Sequence, residues 1–175
     1  MLDIVGSIDN AWRKDSQTEI CHLVFMKDRM VEFKISESEE LSEDIRAYLK
    51  EDPLKEESSS GLRYTLLTRD KELQKKILEE AELKGMEMEK KMDSAEENGP
   101  GQNMSIEYSK IDNILLKNGT SKTPSVLTVK TKGEAVVYML MHNSYEGAEK
   151  LDAVTRSKYK AVLSKALGEK FRLEN

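Results

Sequence analysis

The chain of 175 residues contains one cysteine, three prolines, one tryptophan and two histidines, and each scarcity excludes a class of protein. A single thiol, Cys21, excludes an intramolecular disulfide and cannot build a zinc site alone. The sequence has no basic N-terminal region leading into an apolar core, and no run of about 20 apolar residues. We therefore expect no signal peptide, no membrane-spanning helix and a reducing, cytoplasmic environment.

The distribution of charge divides the chain into three segments. Charged residues make up 35% of the chain and the formal net charge is -5. Residues 37–103 hold 19 acidic and 11 basic side chains, a net charge of -8, whereas the remainder has a net charge of +3. The length favours one domain, so the acidic middle segment is predicted to be an elaboration of that domain.

Residues 1–36 have the pattern of β-strands. The run TEICHLVFMKDRMVEFKI is rich in β-branched and aromatic residues, and its central KDR is a predicted tight turn. Successive side chains of a strand point to opposite faces, and in the strand before the turn both faces are apolar. One face holds Ile20, His22, Val24 and Met26, and the other holds Cys21, Leu23 and Phe25. A strand with two apolar faces is predicted to be covered on both sides.

Residues 37–103 predict a helical insertion with two helices. In the first, Leu41, Ile45 and Leu49 recur at helical spacing before Pro53. The second begins after the potential N-cap Thr68 and carries a narrow apolar stripe that is interrupted at Gly85. The stripe consists of Leu73, Ile77, Ala81, Met88 and Met92.

Residues 104–175 return to strands and end in a helix. In SIEYSKIDNILL the apolar alternation changes phase, which predicts a short strand through Tyr108, a bend or bulge at Ser109-Lys110, and a new strand from Ile111. SVLTVKTKG and AVVYMLMH predict further strands. The final helix is predicted to begin after an N-cap at Ser144 and to end at Gly168.

Several motifs resemble the pleckstrin-homology-like family, in its prokaryotic and GRAM-like branches. LVFMKDRMVEF is similar to the first hairpin of that family, with Met26 at the usual threonine position. IEYSKIDNILL is similar to a family motif of the form I-P-Y-S-D-I-x-x-V, and the LTVKTKG stretch to one of the form L-x-I-x-T-K-x-G. The resemblance covers roughly residues 4–35 and 104–170.

The resemblance implies an α+β, mainly β fold. Residues 1–36 and 104–175 would form a seven-stranded antiparallel barrel or roll with a C-terminal capping helix. Residues 37–103 would be a helical arm inserted between the third and fourth strands. Because this fold supports many unrelated binding roles, the resemblance implies no enzymatic activity and no cofactor.

The function predicted on this basis is a non-enzymatic binding or scaffolding module that contacts another protein, either a different chain or an identical one. The candidate partner-binding residues are Leu73, Ile77, Met88 and Met92, because a narrow, methionine-rich stripe suits a contact between two helices. The alternative is that this stripe is partly buried within the chain.

A second function to consider is a peripheral membrane module that binds anionic lipid head groups through Arg13 and Lys14. Lys27 and Arg29 complete a basic string, but they fall at the next predicted turn, about 25 Å away at 3.3 Å per strand residue. The acidic insertion would also be repelled by an anionic surface. A protein partner is therefore the preferred prediction over a membrane.

Other binding and catalytic sites have little support in the sequence. His22 and His142 lie in apolar runs without spaced partners, so core positions are favoured over metal ligands or general bases. Cys21 and His22 are neighbours in a predicted strand and should point to opposite faces. Trp12 next to Arg13 and Lys14 is a weak signal for nucleic-acid binding in an acidic chain without a basic stripe.

Overall fold

A computed structural model describes residues 3–15, 19–35, 71–94, 102–120, 123–141 and 151–174. These residues form an eight-stranded sheet and two α-helices, which is a mainly β member of the α+β class. In chain order the elements are β1 (Ile4–Arg13), β2 (Ile20–Met26), β3 (Arg29–Lys34), α1 (Lys71–Ser94), β4 (Gln102–Glu107), β5 (Ile111–Lys117), β6 (Ser125–Thr131), β7 (Glu134–Leu140), α2 (Ala153–Leu167) and β8 (Phe171–Glu174).

The strands lie in the order β4-β3-β2-β1-β7-β6-β5-β8. Neighbouring strands are antiparallel except β5 and β8, which are parallel. β4 and β8 stand at the two ends, and no pairing among the described strands closes the sheet into a barrel. The prediction of seven antiparallel strands is therefore corrected to eight strands in a mixed sheet.

The eighth strand was missed because it is very short and follows a helix end. Gly168 adopts a φ of 55°, which is accessible to glycine, and it stops α2 as predicted. One 3₁₀ turn, Gly168–Lys170, then redirects the chain beside β5. Four residues that alternate apolar and charged side chains carry too little pattern to be recognised as a strand.

The predicted corner at SIEYSKIDNILL is confirmed. β4 ends at Glu107, a single 3₁₀ turn spans Tyr108–Lys110, and β5 begins at Ile111. The Tyr108 hydroxyl donates to the Met26 carbonyl at 2.7 Å. The Lys170 Nζ donates to the carbonyls of Tyr108 at 2.6 Å and Ile111 at 2.8 Å, so one ammonium group holds both ends of the turn.

The sheet separates two hydrophobic cores, because α1 packs on one face and α2 on the other. The prediction that β2 is covered on both sides is confirmed, since all seven of its residues are buried. Cys21, Leu23 and Phe25 belong to the core that contains α2, and Ile20, Val24 and Met26 belong to the core that contains α1.

The final helix begins later than its sequence pattern suggests. Asp152 is the observed N-cap, with its carboxylate accepting from the Thr155 backbone N–H at 2.9 Å. The predicted N-cap Ser144 lies outside the described residues, as do Thr68 and the whole first helix predicted for the insertion. Neither α1 nor α2 is long and apolar enough to span a membrane.

Candidate functional site

The candidate site lies where α1 crosses the sheet at Gly85. A Cβ atom at position 85 would lie 2.4 Å from His22 Nδ1 and 2.7 Å from His22 Cγ, closer than real Cβ atoms approach other atoms. Glycine therefore lets the helix backbone pack directly on the imidazole of His22, which is 1% exposed. The interruption that Gly85 makes in the apolar stripe is thus a point of close packing between α1 and β2.

His22 lies between two carboxylates that come from different elements. Its Nε2 is 3.0 Å from Glu89 Oε2 on α1, within hydrogen-bonding distance. Its Nδ1 is 2.8 Å from Asp9 Oδ1 on β1, an ion-pair contact without good hydrogen-bond alignment. The imidazole thus connects β1, β2 and α1 through side chains separated by up to 80 positions in the sequence.

The electrostatics of the cluster favour a charged imidazole. Burial lowers the pKa of His22, but the close Asp9 carboxylate, the hydrogen bond with Glu89 and the negative charges of both groups outweigh burial and raise the pKa above its ordinary value. The hydrogen bond from His22 lowers the pKa of Glu89, against the opposing effect of burial, and Ser7 also donates to that carboxylate. The arrangement therefore favours the protonated imidazole, which can interact with both carboxylates.

A β-bulge brings Asp9 to this position. The register between β1 and β2 shifts between Ile8 and Ala11, and Asn10 adopts a φ of 51°, which asparagine tolerates better than most residues. The Asn10 side-chain amide donates to the Leu78 carbonyl of α1 at 3.2 Å. The bulge thus supplies two consecutive polar side chains that meet the helix or its histidine partner.

A cleft of about 360 Å³ opens beside the cluster, between β1, α1 and α2. It is lined by Ile4, Ser7, Asp9, Glu82, Met86, Glu89, Lys90 and Lys158. A molecule in this cleft would meet the partly exposed carboxylates of Asp9 and Glu89 but not the buried imidazole. Because a general base must reach the proton that it abstracts, His22 is placed to hold α1 on the sheet and not to act on a substrate.

A second buried polar group lies on the opposite face of the sheet. Glu32 is 0% exposed, accepts a hydrogen bond from the Tyr138 hydroxyl at 2.5 Å, and lies 3.5 Å from Arg13 Nη1. Burial and the charge of Glu32 raise the pKa of Tyr138, and burial raises the pKa of Cys21. Cys21 is therefore an unreactive buried thiol, and it faces away from His22 as predicted.

The proposed partner-binding stripe lies largely against the chain's own sheet. Ile77 and Met92 are buried at 1% and 8% exposure, and Met88 is partly buried in the same core. The placement of the Leu73 side chain lies outside the description. The alternative considered from the sequence, a stripe buried within the chain, is thus what the structure has at these three positions.

Arg13 and Lys14, the candidate lipid-binding residues, have different surroundings. The Arg13 guanidinium lies 2.8 Å from Asp15 and 3.6 Å from Glu19, in addition to its contact with Glu32. Lys14 is exposed. Of the two candidate lipid-binding residues, Arg13 is therefore paired with acidic side chains of its own chain.

The structure shows two outward apolar side chains that the sequence pattern did not single out. Leu83 and Met86 of α1 are 61% and 45% exposed, and Met86 also lines the cleft beside β1. Their spacing of three residues places them on one helical stripe, which is distinct from the buried one. The signal was present in the sequence, but the longer stripe of Ile77 and Met92 was the more regular one.

Within the described part of the chain, no cluster of three or more histidine, cysteine or acidic side chains is arranged to hold a metal ion. His142, the other histidine, lies outside that part. Comparisons of the chain with protein-family models, with curated proteins and with solved structures found no match.

Proposed function

We propose that this chain is a non-enzymatic, cytoplasmic binding module that acts through protein–protein contacts made by the outward face of α1. The observation that carries the proposal is the exposure of Leu83 and Met86 on a helix that already buries its other face. A helix in an inserted segment that packs on the sheet and still presents large apolar side chains is suited to contact a second helix.

The architecture that we propose for the module is pleckstrin-homology-like. Seven of its strands follow one another in the order β4-β3-β2-β1-β7-β6-β5, each antiparallel to the next, and α2 follows β7 along the chain. This agrees with what the resemblance implies for strands and capping helix. The parallel strand β8 and the open sheet are departures from that pattern.

The occupant that fits this face best is a second copy of the chain. Glu79, Leu83, Met86 and Lys90 follow one another at spacings of four, three and four residues, so they share one exposed stripe, whose members Met86 and Lys90 border the cleft. In an antiparallel pair of α1 helices, Leu83 would meet Met86 of the second copy and Glu79 would meet Lys90. The stripe is thus complementary to itself in both polarity and charge.

The contact should be weak, because only two apolar side chains per copy are central to it. Glu82 and Glu87 flank the stripe and add negative charge on both copies. Exposed ion pairs contribute roughly 0.2–1 kcal/mol each. The Glu79–Lys90 pairs would therefore determine the antiparallel orientation of the two α1 helices more than they would increase the affinity. Self-association should therefore be measured at high micromolar protein concentration.

Charge reversal tests the proposal by sedimentation velocity. Glu79→Lys and Lys90→Glu should each weaken self-association, since each places like charges opposite one another. Mixing the two variants should restore association. The lysine introduced at position 79 then faces the glutamate introduced at position 90, and the native Lys90 of one copy faces the native Glu79 of the other. Val154→Ser on α2 is the matched control, since Val154 is an exposed apolar residue, at 80%, on the other helix.

The outcomes separate the two parts of the proposal. If the wild type and the mixture are both monomeric, the second copy is not the partner. Affinity capture from a cell extract with wild type and with Leu83→Ser/Met86→Ser then tests whether another protein uses the face. Capture that is unaffected by the double substitution would end the proposal for this surface.

The membrane alternative is examined by co-sedimentation with vesicles that contain phosphatidylserine, at low and high salt. Because Arg13 is paired with acidic side chains, Lys14 would be the main contact, and we expect no salt-sensitive binding. Binding that is lost in Lys14→Glu would favour the membrane instead.

A further inference from the structure

His22 of β2 contacts a charged group of α1, the Glu89 carboxylate. Besides this contact, the Asn10 amide and the hydrogen bond of Ser7 with Glu89, the interface between α1 and the sheet contains apolar residues such as Ile77, Leu78 and Val24. A buried imidazole at such an interface has a large effect on its strength, because the charge of the imidazole changes with pH.

The groups that face His22 can be named element by element. β1 contributes Asp9, and α1 contributes Glu89, with Glu82 and Lys90 farther along the cleft. α2 contributes Lys158, whose Nζ is 4.0 Å from the second oxygen of Asp9, and Tyr159, which forms a hydrogen bond with the backbone of Asp9. β3 places Phe33 opposite His22 in the sheet register.

The two protonation states of His22 differ in how many carboxylates they can satisfy. The imidazolium has an N–H at both nitrogens and can interact favourably with Asp9 and Glu89 together. The neutral ring has one N–H, so a lone pair then faces one of the two carboxylates. Deprotonation also leaves two negative groups on either side of a buried neutral ring.

We propose that His22 is a proton-dependent clamp that sets how firmly α1 is held on the sheet. When His22 is protonated, it bridges Asp9 on β1 and Glu89 on α1. When it is neutral, it can donate to only one of the two carboxylates, and the helix depends more on the apolar contacts and on the hydrogen bonds of Asn10 and Ser7. The clamp stands on this geometry and does not depend on the proposed function.

The direction of the pH dependence follows from the raised pKa of His22. A group whose pKa is higher in the folded state stabilises that state fully below its unfolded pKa, which is about 6.5. That stabilisation is lost as the pH rises through the folded pKa. The docking of α1 is therefore tightest in mildly acidic solution and weakens toward alkaline pH.

A functional consequence rests on the proposed function, since the outward face of α1 is the proposed binding surface. Loosening α1 moves Leu83 and Met86 relative to the sheet and relaxes the binding face. Self-association through α1 should then be stronger at pH 6 than at pH 8.5. If α1 proves not to bind any protein, the clamp is still measurable in the isolated chain.

Hydrogen exchange of the α1 amides tests the clamp directly. The protection of residues 71–94, corrected for the intrinsic pH dependence of exchange, should fall roughly five- to tenfold between pH 6 and pH 8.5 in the wild type. Glu89→Gln keeps a hydrogen-bond acceptor but removes the charge, and His22→Gln removes the titrating group. Both variants should lose most of this pH dependence.

Glu87→Gln is the matched control, because Glu87 is an exposed glutamate of the same helix that pairs with Lys84 at 2.9 Å. It should keep the wild-type profile. If His22→Gln does not fold, Glu89→Gln carries the test alone. The clamp is overturned if wild type and Glu89→Gln lose protection in parallel, or if NMR shows the imidazole of His22 titrating at or below pH 6.5.

Discussion

Replacing Gly85 with alanine tests the close packing of α1 on β2. The added Cβ would lie 2.4 Å from Nδ1, 2.7 Å from Cγ and 3.1 Å from Cβ of His22. The imidazole cannot move aside easily, because it is buried and has a carboxylate at each nitrogen. Either α1 shifts outward or the ring rotates, and both movements disturb the contact between His22 and Glu89.

The change in the free energy of unfolding that Gly85→Ala causes is the sum of one stabilising and two destabilising effects. Inserting a methyl group into a packed interface destabilises a protein by about 1–3 kcal/mol. Alanine is a better helix former than glycine by about 1 kcal/mol, which opposes that loss. Weakening a hydrogen bond to a charged group adds to the destabilisation. We therefore expect Gly85→Ala to lower the free energy of unfolding by about 1–2 kcal/mol.

The assay is urea denaturation followed by circular dichroism at 222 nm, arranged as a double-mutant cycle. In a His22→Ala background the ring is absent, so alanine at position 85 should be neutral or stabilising by up to roughly 1 kcal/mol. Glu87→Ala, an exposed change on the same helix, should alter stability by less than about 0.5 kcal/mol. An equal effect of Gly85→Ala in both backgrounds would refute the steric explanation.

Two further predictions concern hydrogen bonds elsewhere in the structure, one set partly buried and one buried. Lys170→Met leaves the carbonyls of Tyr108 and Ile111 without their shared donor, and it should lower the free energy of unfolding by about 1–3 kcal/mol in the same urea assay. Tyr138→Phe removes the hydroxyl that donates to the buried Glu32, with an expected loss of about 1–3 kcal/mol. A change below about 0.5 kcal/mol, the size of an ordinary surface substitution, would contradict the structural role of either group.

Much of the β-structure could be predicted because its signals are local. The three N-terminal strands, the turn after Met26 and the corner at Tyr108 follow from alternation and from where the alternation breaks. The amphipathic character of α1 also follows from spacing, and Ile77 and Met92 are buried as such a stripe would be in a packed helix. Alternation and spacing do not show which surface covers that stripe.

The candidate site could not be predicted in the same way, because its members are far apart in the sequence. His22 and Glu89 are separated by 67 positions, and no periodic pattern relates them. Gly85 was visible as an interruption of the stripe, but glycine in a helix has several explanations. Only the crossing of α1 over β2 shows that the missing side chain makes room for an imidazole.

The buried character of β2 on both faces has a consequence for the pairing of the whole sheet. A shift of this strand by one residue would turn His22 toward α2 and place the thiol of Cys21 beneath Gly85. The imidazole would then lie on the face that holds the buried Glu32, away from Asp9 and Glu89, and those two carboxylates would lose their contact with it. His22 therefore helps to exclude the misaligned sheet, so a residue suited to respond to pH also ensures that the strands pair in a single register.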